Sequence, residues 1–411
     1  MFRVRGVVVL ASALAMFVPG KRGEDEKRVH AAEAYAPITG FLHKGMSWLA
    51  EAQLENGGWG AGTHARQDIR DPKAVQADPA TTAISALALV RAGNGLQNGT
   101  YSSNVSRALG YLLEQVEQSP EESPTVTSLT GTQPQIKLGQ NIDVSLCAQF
   151  LTRILPLAKT DKKLEKRVAS ALDKCLRKIE RGQTSDGSFS GGTWAGVLQS
   201  AMANSALENA EAAGRRVDTA VLERSRGYQK GNLNAATGEV KTDRAAGVPL
   251  YSITSNQRAT AQEARTTADL IKGAKEKGIL EKDAKVNLEN LIIAGVEKPE
   301  AEKLFNAYEQ HEAGKRQLED DRIMSGFGNN GGEEYLSYMM TSESMVIGGT
   351  TEWDGWSRKM GGRFEKIQNS NGSWSGYHCI TSPVFCTAAV IMTMTADRDA
   401  RVLVVGKKNK R

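Results

Sequence analysis

The chain has 411 residues, of which 40% are hydrophobic and 24% charged, with 41 glycines and 11 prolines; this balance excludes disorder and collagen and suits long helices joined by glycine-rich turns. The formal net charge of +5 sits at the ends: Lys407, Lys408, Lys410 and Arg411 contribute +4 and residues 1–34 contribute +2, leaving residues 35–406 at −1. A near-neutral body lacks the basic footprint of a nucleic-acid binder, so no nucleic-acid partner is expected.

Arg3 and Arg5 precede an apolar run, residues 6–18 (GVVVLASALAMFV). The run is shorter than the roughly 20 residues that span a bilayer, and it fits the apolar core of a secretory signal. Residues 1–34 are read as a signal peptide, with Ala32-Glu33-Ala34 as a small-residue cleavage site; the alternative is an uncleaved anchor, the only membrane contact expected. Export to the periplasm, the cell envelope or the medium follows.

The remaining elements alternate between two kinds of helix. MSWLAEAQ (46–53), ALDKCLRKIERGQ (171–183) and RKMGGRFEKIQ (358–368) carry apolar residues at three- and four-residue spacing with charges between, the pattern of surface helices. DPATTAISALALVRAG (78–93), TWAGVLQSAMANSALENA (193–210) and ITSPVFCTAAVIMTM (380–394) are nearly free of charge, as a buried helix must be. Between the members of each pair stand Gln53…Gly57…Trp59, Gln183…Gly187…Phe189 and Gln368…Gly372…Trp374, three copies of Q-x-x-x-G-x-(W/F). Gln can satisfy backbone groups at a helix end, Gly admits a positive φ, and the ring wedges between helices.

The same unit is traced without the motif at 103–118 with 141–155, at 217–229 with 245–261, and in a long charged section, 262–322, followed by 333–347. Six hairpins over residues 35–398 predict an all-α fold, an (α/α)6 toroid with inner N-termini facing a central cavity; an open solenoid would share the periodicity. The charged section is expected to be a solvated outer hairpin rather than a partner-docking arm, and residues 399–411 a basic tail.

These motifs and Ala-rich inner helices resemble the prenyltransferase and squalene-oxidase repeats of terpenoid cyclases and protein prenyltransferase β-subunits. GFGNNGGEEYLSYMMTSES (326–344) and WSGYHCITSPVFCTAA (374–389) look like segments of exported bacterial members of that group. The resemblance implies an α/α toroid and, for an enzyme, isoprenoid chemistry. Cyclases carry a DxDDTA acid motif; the counterpart Asp78-Pro-Ala-Thr-Thr-Ala83 retains one carboxylate. The prenyltransferases imply a zinc site, for which Asp143, Cys147 and His378 are the matching residue types, with Asp-x-x-x-Cys where the family has Asp-x-Cys. The competing reading makes Asp143 a helix cap and Cys147 buried or disulfide-bonded, and no cofactor is then expected.

Asn141, Trp194, Tyr251, Tyr335 and Thr381 are the expected cavity lining. Glu333, Glu334, Glu343, His378 and Asp78 are the candidate acid–base groups, Glu343 returning near the side of Glu333 after ten residues. Glu333 and Glu334 would otherwise stabilise a helix N-terminus, the reading preferred here. The four cysteines of an exported chain can pair as Cys379–Cys386 and Cys147–Cys175, or in either of the two other ways. The function expected is binding of a small molecule, lipid, glycan or protein partner without established catalysis; the alternatives are an isoprenoid enzyme or a carbohydrate-active toroid with a carboxylate pair.

Overall fold

The computed structural model describes residues 38–189, 194–399 and Leu403. The signal segment expected above lies outside the described residues, as does the expected tail apart from Asp399 and Leu403, which are buried in the body. Among the described residues there are fifteen α-helices and no β-strand, and no helix is long and apolar enough to cross a membrane.

Six helices are buried along nearly their whole length: α2 (Pro79–Arg91), α5 (Ile142–Ile154), α7 (Gly196–Ala212), α9 (Pro249–Glu276, in its first half), α13 (Gly332–Gly348) and α15 (Pro383–Met394). Proline opens three of them, where its missing N–H and fixed φ suit the first helical turn. Asp78 and Ser382 cap α2 and α15 by accepting from the amides of Thr81 and Phe385. Around these six lie the amphipathic helices α1 (Gly40–Glu51), α3 (Ser102–Gln118), α6 (Lys162–Arg181), α8 (Thr219–Lys230), α11 (Lys298–Gln317) and α14 (Thr350–Ile367). The short helices are α4 (Gln133–Lys137), α10 (Leu288–Ile293) and α12 (Asp321–Met324).

The buried helices touch in the order α2, α5, α7, α9, α13, α15 and back to α2. The sequence reading paired each outer helix with the inner helix that follows it, and the packing differs. Most outer helices lie against the preceding inner one, α3 on α2, α6 on α5, α11 on α9 and α14 on α13, while α8 packs on α7 and, as the sequence reading had it, on α9. The sixth pair joins the two ends of the described chain, α15 with α1. The charged section also divides differently, since 262–276 continues α9. Ile271, Ala274, Leu280, Leu291, Ala301 and Leu304 form a small second core beneath α10 and α11.

The three Q-x-x-x-G-x-(W/F) copies make one joint three times. Gln53 Nε2 donates to the carbonyls of Gly57 (2.8 Å) and Asn104 (2.9 Å), Gln183 to those of Gly187 (3.2 Å) and Val221 (2.8 Å), and Gln368 to those of Gly372 (2.7 Å) and Phe41 (2.8 Å). Each amide thus ties its own loop to the outer helix two elements on, and for Gln368 that helix is α1. Trp59, Phe189 and Trp374 donate their backbone N–H to Thr82, Ser200 and Thr387 on the inner helix. The indole N–H groups of Trp59 and Trp374 bond Leu49 and Phe364 on the preceding outer helix. The central glycine has φ +85°, +88° and +93° in the three copies, and a Cβ there would lie 2.4–2.9 Å from a carbonyl oxygen of the neighbouring outer helix, so no other residue fits. Between α3 and α5, where the motif is missing, the buried Lys178 of α6 takes over, donating to the carbonyls of Pro120 (2.5 Å) and Ser123 (2.7 Å).

One layer of charge lies at the far end of the buried helices. Glu343 of α13 accepts from Arg91 of α2 (2.6 Å) and Arg258 of α9 (2.8 Å). Asp399 accepts from Arg91 (2.5 Å) and Arg153 of α5 (3.1 Å). Glu208 of α7 pairs with Arg258 (3.3 Å), and the Met392 carbonyl of α15 accepts from Arg91 (3.1 Å). Every one of the six buried helices contributes a group. Burial would raise the Glu343 carboxyl, but Arg91 and Arg258 overcome it and hold the group down at about 2.

Two outcomes test these devices. Gln368→Ala leaves two partly buried carbonyls without their donor and is expected to lower unfolding free energy by about 1–2 kcal/mol in urea, with Gly372→Ala at least as damaging because of its φ. Glu343→Gln removes the charge shared by two buried guanidinium groups, leaving Arg91 with Asp399 and Arg258 with Glu208, and is expected to destabilise by about 3 kcal/mol. Because the folded-state value of Glu343 is depressed, its contribution is present above about pH 4.5 and lost as pH falls toward 2. Acid unfolding followed by circular dichroism should show that loss in the parent chain and lack this component in Glu343→Gln.

Candidate functional site

The N-terminal ends of the buried helices, with the loops before them, form the opposite end of the bundle. Glu333 and Glu334 lie in the first turn of α13, and both are fully buried. Glu334 is saturated with donors: Oε1 accepts from the Tyr251 hydroxyl of α9 (2.6 Å) and the Phe327 amide (3.0 Å), and Oε2 accepts from the Gly331 amide (2.7 Å) with His378 Nε2 at 3.6 Å. Burial and the adjoining Glu334 charge push the Tyr251 hydroxyl far above its ordinary range, so it stays a donor.

Glu333 is its opposite. Its Oε2 accepts one long bond from the Ile380 amide (3.3 Å) and its Oε1 has no hydrogen-bond partner. Burial, then the charge of Glu334, pushes this carboxyl up to about 8. Two adjacent carboxylic acids thus differ in kind, one held by three donors and the other pushed toward its protonated form. The Cys379 thiol lies beside Glu333, and burial followed by the Glu333 charge raises it to about 12, a thiol and not a thiolate. Cys379 also has φ +57°, an unfavourable backbone for a residue with a Cβ.

The segment after Tyr377 is clamped from three sides. Gln133, at the start of α4, accepts through Oε1 from the Thr381 amide (2.7 Å), the Ser382 amide (3.1 Å) and the Thr381 hydroxyl (3.3 Å), while its buried Nε2 has no partner. Arg70 donates to the carbonyls of Gly376 (2.8 Å) and Thr381 (2.7 Å). Gln67 donates to the Cys379 carbonyl and accepts from the Thr381 hydroxyl through its own carbonyl. Above this floor Trp194, Phe327 and His378 follow one another in edge-to-face and tilted contacts, with centroids 6.3 and 5.2 Å apart, and Lys137 Nζ stands 4.7 Å from the Trp194 ring centre. Trp194 (43%), Phe327 (54%) and Tyr377 (74%) are among the most exposed large side chains of the described surface.

Of the residues expected from the sequence, Glu333, Glu334, Tyr251, His378 and Thr381 come together here with Trp194 at the rim. The others do not join them. Glu343 follows Glu333 by ten residues on one helix, about 15 Å of rise, and belongs to the charged layer. Asp78 is used up as the α2 cap and as acceptor from Ala61, and burial raises its carboxyl. Asn141 accepts from Gln199, tying α7 to the start of α5. Tyr335 packs with Tyr338 and Phe364 toward the outer wall.

Asp143 accepts from the amides of Val126 and Val144, burial raising it to about 7, and Cys147 is a buried thiol beside Cys175. His378 belongs to a different helix end, so Asp143, Cys147 and His378 do not form the zinc site, and no group of three metal-ligating side chains occurs among the described residues. All four cysteines are free thiols, so the expected disulfides are not formed. Cys386 donates to the Ile380 carbonyl and Cys379 lies by Glu333.

Gln133, Lys137 and Phe327 escaped the sequence reading. Phe327 stood inside the GFGNNGG segment, but nothing marks an aromatic residue as exposed before the loops are placed. Three grooves, of about 250, 550 and 450 Å³, lie on the outer wall between amphipathic helices and their loops, and hold no comparable convergence of unpartnered polar atoms.

Comparison with protein-family models and with curated proteins found no match to this chain. The acid pair supplies its own test. Because the folded-state value of Glu333 is raised, its protonated form favours folding below about pH 4.5 and that advantage is lost as pH rises through about 8. Unfolding free energy between pH 5 and 8 should therefore decline in the parent chain and lose this slope in Glu333→Gln; parallel profiles would show Glu333 ionised in the folded protein.

Proposed function

We propose that the chain is an exported α/α toroid, related in architecture to the terpenoid cyclase and prenyltransferase repeat proteins, which binds a ligand at the mouth formed by its inner-helix N-termini. The ring reading is supported by the order of inner-helix neighbours, which returns to its start, and by the recurrence of one joint from Gln53 to Gln368. Export is supported by the apolar run at 6–18 behind Arg3 and Arg5; accumulation of the full-length product in the cytoplasm of its host would refute it.

The observation that carries ligand binding is the pairing of half-exposed aromatic rings, Trp194 and Phe327, with buried polar atoms left unpartnered beneath them, Glu333 Oε1 and Gln133 Nε2. A folded protein seldom leaves such atoms unsatisfied, and they are satisfied readily by a bound molecule. Cyclase chemistry has little support, since the one carboxylate of the acid motif, Asp78, is a cap. The zinc of the prenyltransferases does not fit Asp143, Cys147 and His378, and no step is derived through it. A second reading, general acid catalysis by Glu333, draws on the contrast between Glu333 and Glu334.

Hydrogen–deuterium exchange on the full chain, with and without the low-molecular-weight fraction of a cell-envelope extract, tests the mouth. Protection is expected at residues 133–138, 195–199, 326–335 and 377–382, and is expected to vanish in Trp194→Ala at unchanged melting temperature. Protection elsewhere, or none, overturns the proposal.

A further inference from the structure

The chemistry of the mouth narrows the ligand class, an inference that rests on the mouth being the binding site. Three kinds of group converge there. The first is aromatic surface: Trp194 and Phe327 meet edge to face and are about half exposed, so they offer ring faces at a rim rather than a closed apolar pocket. An acyl chain would need the closed pocket; a ring with an apolar face needs only the rim.

The second is a mixed set of unpartnered polar atoms. Gln133 Nε2 is a donor only, and the amide is fixed by the three bonds its oxygen accepts. Glu333 Oε1 belongs to a fully buried carboxyl whose other oxygen is anchored on Ile380, and His378 Nδ1 is unpartnered while its Nε2 contacts Asn329 and Glu334. A donor-only cradle would suit phosphate. A donor beside acceptor atoms suits hydroxyl groups, each of which both donates and accepts.

The third is positive charge without a carboxylate partner. Among the described residues Lys137 is directed at the Trp194 ring, and Arg70 at the carbonyls of Gly376 and Thr381. The carboxyl groups below them, Glu333 and Glu334, are both fully buried, and Glu334 accepts from three neutral donors. The exposed rim therefore offers cations as well as aromatic rings.

We propose that the mouth binds an acidic sugar, a uronate unit of a short glycan, with its ring on Trp194 and Phe327, its hydroxyl groups on Gln133, His378 and Glu333, and its carboxylate at Lys137. No bond is made or broken in this proposal.

The full chain is titrated calorimetrically with trigalacturonic acid and, separately, with α-1,4-galactotriose, its neutral counterpart. Binding of the acidic trisaccharide is expected, at least about tenfold tighter than of the neutral one, and Lys137→Ala and Trp194→Ala are each expected to weaken it at least about tenfold at unchanged melting temperature. Glu343→Gln is avoided as a control because it acts on the fold; Lys166→Ala, on the outer wall, should leave binding as it is. Equal binding of the two sugars, or acidic binding indifferent to Lys137→Ala, overturns the proposal. Failure of both sugars to bind, while the envelope extract still protects the mouth, overturns the sugar and leaves the mouth standing; absence of both effects overturns the two together.

Discussion

Charge buried at the far end of the inner helices governs the rest of the molecule. Arg91, Arg153, Glu208, Arg258 and Glu343 come one from each of five inner helices, α15 adds a carbonyl and Asp399 closes the set. In a medium of low polarity each of these groups is tolerable only while its partners stay in place. A slip of any inner helix along its axis would strand a charge, so the layer fixes the axial register of all six. Register at one end fixes register at the other. Glu333 holds its depth below the rim because Glu343, on the same rigid helix, cannot move.

The joints do for the circumference what the charges do for the axis. A glutamine amide has two N–H groups, and each motif uses one on its own loop and the other on a neighbouring outer helix. Lys178 satisfies the same requirement between α3 and α5 from the opposite side, an ammonium on the outer helix reaching loop carbonyls. The requirement is therefore a donor that bridges loop and neighbouring helix, and its chemical identity is secondary.

Much of the architecture was legible because burial writes itself into composition. Inner helices lack charge along their length, and Gln53, Gln183 and Gln368 recur with their glycines and rings because backbone carbonyls and a positive φ allow few substitutes. The pairing of helices was not legible: whether α3 lies on α2 or on α5 depends on packing, and both are apolar partners of similar size. The charged layer was invisible for a related reason, since Arg91, Arg258 and Asp399 lie far apart in the chain and each alone looks like a surface charge. At the mouth, Glu333, Glu334, Tyr251 and His378 were found because helix starts are easy to place. Their division into a saturated and an unsaturated acid was not, because it depends on amides of Phe327, Gly331 and Ile380 that only the fold delivers.

The sixth helix pair differs from the other five in one respect, that its members stand at opposite ends of the described chain, with Gln368 bonded to Phe41 across 327 residues. Five pairs consist of near neighbours and can condense as the chain lengthens. The contact of α15 with α1 waits until nearly everything has been synthesised, and long-range closure of this kind is the slow part of folding. Until then α1 presents a bare apolar face and α2 lacks its neighbour α15. The last helix pair therefore sets when the bundle is complete: every other pair can be in place while α1 and α2 still wait for α15.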